Sequence, residues 1–216
     1  MQLPPKITWA LLALAAVVVV ASPTAAQTVT VNRCAAAKVR CVMGYGHVCG
    51  VQGVRGLFRC YEHATTRARF VDQVCVRRTE DKLTDCWREA EAERRYGPCL
   101  TLGDLVAVQT KIEDFVLGVV EDVTPGFPYP IANDCAAGKA RAVSEATFAK
   151  LDCFMDAFHR DPGIVDTACL SKPEALYASA WAKLESSSGC LTAGDDQAIE
   201  AQIDAFVADI VTSLDP

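Results

Sequence analysis

"CLTAGDDQAIEAQIDAFVADIV" runs from Cys190 to Val211, and "CLTLGDLVAVQTKIEDFVLGVV" runs from Cys99 to Val120. At an offset of 190 − 99 = 91, Ala107, Ile112, Phe115, Val116, Val120 and Pro125 meet Ala198, Ile203, Phe206, Val207, Val211 and Pro216. The agreement extends upstream. Asn32-Arg-Cys34-Ala-Ala-Ala-Lys38-Val-Arg40 parallels Asn133-Asp-Cys135-Ala-Ala-Gly-Lys139-Ala-Arg141, and Cys75 precedes Trp87 by the same 12 residues that separate Cys169 from Trp181. Self-similarity of this kind marks two copies of one unit.

Each unit reads as three helices. In the third, Val108, Ile112, Phe115, Val116, Val119, Val120 and Val123 recur at three- and four-residue steps, as do Ile199, Ile203, Phe206, Val207, Ile210, Val211 and Leu214. Apolar residues at that period, with Asp and Glu opposite, predict an amphipathic helix. Strict apolar/polar alternation is nearly absent, which excludes a β-rich fold. Thr101…Asp104 and Thr192…Asp195 fit a capping box, so T-x-G-D is expected to be a helix start rather than a catalytic or metal carboxylate. The two units, 27–123 and 132–216, are separated at 124–131 by a linker containing "TPGFPYP", whose three prolines stiffen it.

Residues 1–26 read as a signal peptide: Lys6 is the positive start, Trp9 to Ala21 the apolar run, and Thr24-Ala25-Ala26 the small residues before a cut at Gln27. That run is shorter than the about 20 apolar residues a spanning helix needs. Membrane association is expected only through this segment where it stays uncleaved. The mature chain, 216 − 26 = 190 residues, keeps all 11 cysteines, which in an exported protein implies a disulfide framework. Residues 27–125 carry 14 Lys/Arg and 13 Asp/Glu, a net of +1; residues 126–216 carry 6 and 14, a net of −8. Such a balance does not suit a nucleic-acid binder.

Four cysteines recur in each copy. An antiparallel hairpin of near-equal helices places the end of the first beside the start of the second. The expected pairs are therefore Cys60–Cys75 and Cys153–Cys169 at the turn, with Cys34–Cys99 and Cys135–Cys190 at the open end. Other pairings would run diagonally over roughly 30 Å. Cys41, Cys49 and Cys86 are extra. Cys49 precedes Cys60 by 11 residues and Cys86 follows Cys75 by 11, about three turns each, which predicts Cys49–Cys86 as a middle rung. Gly46, Gly50, Gly53 and Gly56 are expected to line one helix face and let the backbones close up. Counting back from Cys60 makes residues 41–48 an eight-residue insertion in the first copy and leaves Cys41 without a partner.

"CVMGYGHVCG", residues 41 to 50, also holds the weak metal candidates. Cys41, Met43, His47 and Cys49 are soft or borderline donors suited to copper or zinc. Their spacing matches no paired C-x-x-C pattern, and export favours oxidised thiols. The competing readings are a structural segment with one odd cysteine and an intermolecular disulfide through Cys41 that joins two chains. His63 and His159 are expected at the surface, Trp87 and Trp181 as core anchors, and Arg88 to Arg95, "REAEAERR", as a solvated helix face. No nucleophile elbow, phosphate loop or dinucleotide fingerprint occurs.

The series C…K…C…C…W…GCLT-x-GD…I(E/D)xFVxDIV resembles a group of exported bacterial proteins of uncharacterised function that carry a cysteine-stapled helical repeat. The resemblance covers nearly all of the mature chain, is most specific from Cys190 to Val211, and implies an architecture without supplying a site. The expectation is thus an exported all-α protein of two tandem disulfide-stapled three-helix units. It would act as a binding or structural module on a protein or cell-envelope partner, with no cofactor and no catalytic residue. The alternatives are a carrier of a small apolar ligand, a metal-binding or redox protein using residues 41–49, and an enzyme of unrecognised type.

Overall fold

The computed structural model describes residues 27–44, 52–128, 131–187 and 189–216. The segment 1–26, where the signal peptide is expected, lies outside them, as do His47 and Cys49. The described residues are all-α. In the first half α1 (Arg33–Met43), α2 (Gly53–Thr66), α3 (Gln73–Ala90), a single turn α4 (Glu93–Tyr96) and α5 (Leu105–Val123) follow one another; the second half holds α6 (Asp134–His159), α7 (Thr167–Ser186) and α8 (Asp196–Leu214). None of these helices is long and apolar enough to cross a membrane.

Equivalent residues start equivalent helices. The carbonyl oxygens of the Asn32 and Asn133 side chains accept from the amides of Ala35 and Ala136, three residues on. Asp72 and Asp166 accept from Val74 and Ala168, two residues on. Each side chain satisfies an amide that the first helical turn leaves unpaired, which is why Asn and Asp are favoured there.

α1 and α2 together occupy the place of the single helix α6. Counted forward from Cys34 and Cys135, Met43 matches Ser144; counted back from Cys60 and Cys153, Gly53 matches Ala146. Residues 44–52 therefore stand where α6 has only Glu145. The excursion begins after α1, which corrects the placement of the insertion at 41–48. Two glycines form its neck. Gly44 (φ 86°) caps α1 in the left-handed region, its amide donating to the carbonyls of Arg40 and Cys41. Gly53 (φ 55°) opens α2. A Cβ on Gly44 would lie 2.0 Å from the Gln52 carbonyl oxygen, and one on Gly53 would lie 2.2 Å from that of Val42. No other residue fits either place. Gly53 thus serves the neck rather than an approach to α3; Gly46 and Gly50 fall outside the described residues.

This geometry also changes the middle rung. Cys34–Cys99, Cys60–Cys75, Cys135–Cys190 and Cys153–Cys169 pair as expected, with Cα atoms 5.0–5.9 Å apart. Cys86, however, pairs with Cys41, Cα–Cα 5.7 Å, and not with Cys49. The physical reason is the break in the helix. Eleven residues from Cys60 back to Cys49 are three turns only if the helix is continuous, whereas Cys41 lies seven residues, two turns, beyond Cys34 on unbroken α1. Cys41 and Cys86 occupy the places of Ala142 and Ala180. Buried and bonded within the chain, Cys41 is neither an odd thiol nor the link to a second molecule.

The halves pack face to face. Val108, Ile112, Phe115, Val116, Val119, Val120 and Val123 of α5 are all buried, as are Ile199, Ile203, Phe206, Val207, Ile210 and Leu214 of α8; Val211 is half-buried. Phe115 stacks on Phe206, its own counterpart, at 4.2 Å between ring centres and 8° between planes. Other contacts are reciprocal. The Asn32 amide donates to the Phe158 carbonyl (2.9 Å) and the Asn133 amide to the Thr65 carbonyl (3.2 Å). Lys111 donates to Ser213 (2.7 Å) and Gln202 to Asp122 (2.6 Å). In each pair the two residues exchange equivalent positions, as an approximate twofold axis requires.

Non-reducing peptide mapping after thiol trapping is expected to recover Cys41 joined to Cys86, with Cys49 the position that takes the trap or an external thiol. Replacing both Cys41 and Cys86 by Ala should cost about 2–4 kcal/mol in urea unfolding. A recovered Cys49–Cys86 peptide would reject this ladder.

Candidate functional site

The most concentrated chemistry of the described residues is a buried lysine held at the same place in each half. Lys38, on α1 amid alanines and valines, is 1% exposed. Its Nζ donates to the Thr101 carbonyl (2.8 Å), to Thr101 Oγ1 (3.3 Å) and to Asp104 Oδ1 (2.7 Å), and it pairs with Glu91 (2.8 Å). Trp87 Nε1 donates to the same Asp104 oxygen at 3.1 Å, and the ammonium lies 5.0 Å from the Trp87 ring centre. Lys139, also 1% exposed, reproduces the set. It donates to the Thr192 carbonyl (2.9 Å), to Asp195 (2.6 Å) and to Glu185 (2.7 Å), with its Nζ 4.6 Å from the Trp181 ring centre.

Four segments meet at each lysine: the first helix of the half, the end of the second, the T-x-G-D turn and the start of the third. Burying an ammonium is costly unless its protons are all taken up. Here carboxylates, a hydroxyl and a carbonyl take them. Burial alone would raise the pKa of Asp104, but the hydrogen bonds from Lys38 and Thr101 and the charge of Lys38 hold it below the usual carboxylate value. Asp195 is lowered in the same way by Lys139 and Thr192, against the same opposing effect of burial. An ammonium with its protons engaged between two carboxylates has no lone pair to offer as a base or nucleophile. The clusters are locks.

This changes the reading of T-x-G-D. Asp104 and Asp195 are the residues before α5 and α8, and neither side chain caps its helix. The Thr101 and Thr192 hydroxyls donate to the aspartates (2.6 Å each) instead of serving as a capping box. The helices begin three residues later than a cap at the threonines would place them. Within "REAEAERR", Glu91 is likewise drawn inward to Lys38 while Arg88 is exposed. A repeated signal was present in the sequence: Lys38 and Lys139 stand at matching places in apolar runs, and Glu91 and Glu185 each follow the tryptophan by four residues. Trp87 and Trp181 are core anchors, each 1% exposed. His63 and His159 are at the surface.

A third buried lysine breaks the symmetry. Lys150 on α6 is 3% exposed and joins Glu174 of α7 (3.3 Å) to Asp204 of α8. Its counterpart is Leu57, so Glu80 and Glu113, which match Glu174 and Asp204, have no lysine between them, and the charge of Arg77 only partly offsets their repulsion. Burial, and next the charge of Glu113, raise the Glu80 pKa. Of the weak metal candidates, Cys41 is consumed by its disulfide, and no group of three or more His, Cys, Asp or Glu among the described residues is arranged to hold an ion.

Lys38→Met is expected to lose about 3–5 kcal/mol in urea unfolding, because Asp104 and Glu91 then lack their cation; adding Asp104→Asn and Glu91→Gln should restore part of it. The lowered carboxylate pKa values give stability that is complete above the unfolded-state value and lost as pH falls below about 4. Lys38→Met should flatten that acid limb. Glu80 works in the opposite sense: its raised pKa penalises the ionised folded state, so Glu80→Gln should raise the urea midpoint at pH 7 and lose its effect in acid. No protein-family model matches the chain, nor does any curated protein or solved structure.

Proposed function

We infer that the protein is an exported binding or structural module whose helices are fixed in place to present a rigid surface. The observation that carries this reading is the set of five disulfides, which cross-link both ends of the helical hairpin in each half. Such a density of cross-links persists in an oxidising compartment and is rare in a reducing one. The leader-like residues 1–26 support the same placement. The two lysine locks add internal rigidity without a reactive group, which favours recognition over turnover. The partner is a protein or a component of the cell envelope.

The test is expression of the full chain with its own leader in a host that exports proteins to an oxidising space. The recovered protein is expected to begin at Gln27, to carry no more than one free thiol, and to melt at least about 10 °C lower after full reduction. Recovery of an intact Met1 terminus in the cytosol, with the thiols reduced and the melting temperature indifferent to reductant, would reject the reading.

A further inference from the structure

We propose that the groove between α2 and α6 is a binding site for a phosphate group, either the free ion or a small phosphate monoester. This rests on the binding-module reading and adds to it a small ligand beside the protein or envelope partner. The groove encloses about 380 Å³, within the range of small-ligand sites. It exists only because the halves pack together, since α2 forms one wall and α6 the other. Arg55, Arg59 and His63 follow one another at four-residue steps and so share one face of α2, and Arg141 approaches from α6.

Two of these side chains are held and two are open. Arg55 lies over the Phe148 ring, 4.7 Å from its centre, and Arg141 pairs with Glu62. Arg59 and His63 form no hydrogen bond or ion pair among the described residues. The lining contains two carboxylates, Glu62, which Arg141 engages, and Glu145. Three guanidinium groups and an imidazole therefore face two carboxylates, in a chain whose formal net charge is −6.

Ser144 adds a neutral donor to the groove. It lines the groove, is 5% exposed, and its hydroxyl makes no hydrogen bond among the described residues. Thr147, on the same helix, turns its hydroxyl back to the Val143 carbonyl. The hydroxyl is not sealed from solvent, so it stands open to the groove as a donor for a ligand oxygen. Guanidinium forks and a hydroxyl together offer more donors than a carboxylate can accept, and match the three oxygens and near-double charge of a phosphate ester.

The twofold-related face differs in the residues that matter. Asp152 and Asp156 replace Arg59 and His63, and Phe148 replaces Arg55. Burial, and then the neighbouring Asp156, raise the Asp152 pKa. A repeat that kept its locks and its reciprocal contacts thus places carboxylates where this face has Arg59 and His63, so the basic groove is a property of one face.

The experiment is titration calorimetry of the disulfide-intact mature protein with inorganic phosphate and, separately, with glycerol phosphate at fixed ionic strength. One site is expected. Arg59→Gln should weaken binding tenfold or more, His63→Gln by a smaller factor, and Arg88→Gln, an exposed arginine elsewhere, should leave it unchanged. Melting curves of all three variants should match the parent. Tighter binding of glycerol phosphate supports an ester as ligand, and tighter binding of inorganic phosphate supports the free ion. Absence of binding by both, or equal weakening by Arg59→Gln and Arg88→Gln, overturns the site while leaving export and the disulfide ladder untouched.

Discussion

A lysine ammonium placed out of water constrains everything near it. Each half of this chain gathers its helices around one such charge, and the geometry of the half follows from what that charge requires. Asp104 and Asp195 have to sit at the entrance of the third helix, and Glu91 and Glu185 one turn beyond the tryptophan. The tryptophan shields the ammonium and shares its aspartate. The disulfide Cys34–Cys99 lies beside the first lock and Cys135–Cys190 beside the second, so the T-x-G-D turn is fixed covalently at its base and ionically at its tip. A buried ion pair of this sort adds less to net stability than its contacts suggest, because desolvation offsets them. Its larger effect is on uniqueness: one turn conformation satisfies all the donors.

Much of the architecture was legible because it is written twice. The third helices, the core tryptophans and four of the five disulfides follow from periodicity and from the length of an antiparallel hairpin. The misreadings have a common physical origin, which is that a sequence specifies local continuity and not closure in space. Cys49 stood at the right count from Cys60 for a continuous helix, yet α1 ends at Gly44 and α2 starts only at Gly53, with Gly44 against the Gln52 carbonyl and Gly53 against that of Val42. Counting from Cys34 instead aligns Cys41 with Ala142, a clue that only the helix end at Gly44 decides between. The T-x-G-D motif misled in another way: its residue types suit a capping box, and nothing local shows that a lysine 66 residues earlier claims the aspartate. The α2–α6 groove was illegible, since Arg59 and Arg141 are ordinary surface arginines until the halves are packed.

The halves are alike in scaffold and unlike in charge. Contacts that maintain the fold are retained in both, down to phenylalanine stacked on its own equivalent across the axis. Positions that face outward near the axis have diverged, with cations in the first half and carboxylates in the second. Lys150 against Leu57 is the same divergence inside the protein: one half joins its three helices with a cation, and the other places a leucine there and leaves two glutamates to repel.

Among the described residues the five disulfides each close within one half, and none crosses to the other. Oxidation reinforces each half against its own unravelling but contributes nothing directly to the seam, which is held by α1 and α2 packed on α6, by the aliphatic faces of α5 and α8 with their stacked Phe115 and Phe206 rings, and by reciprocal hydrogen bonds. Among the described residues the halves are joined covalently only by the chain running from Thr124 to Ile131, so full reduction would loosen each half while leaving the links between them as they were.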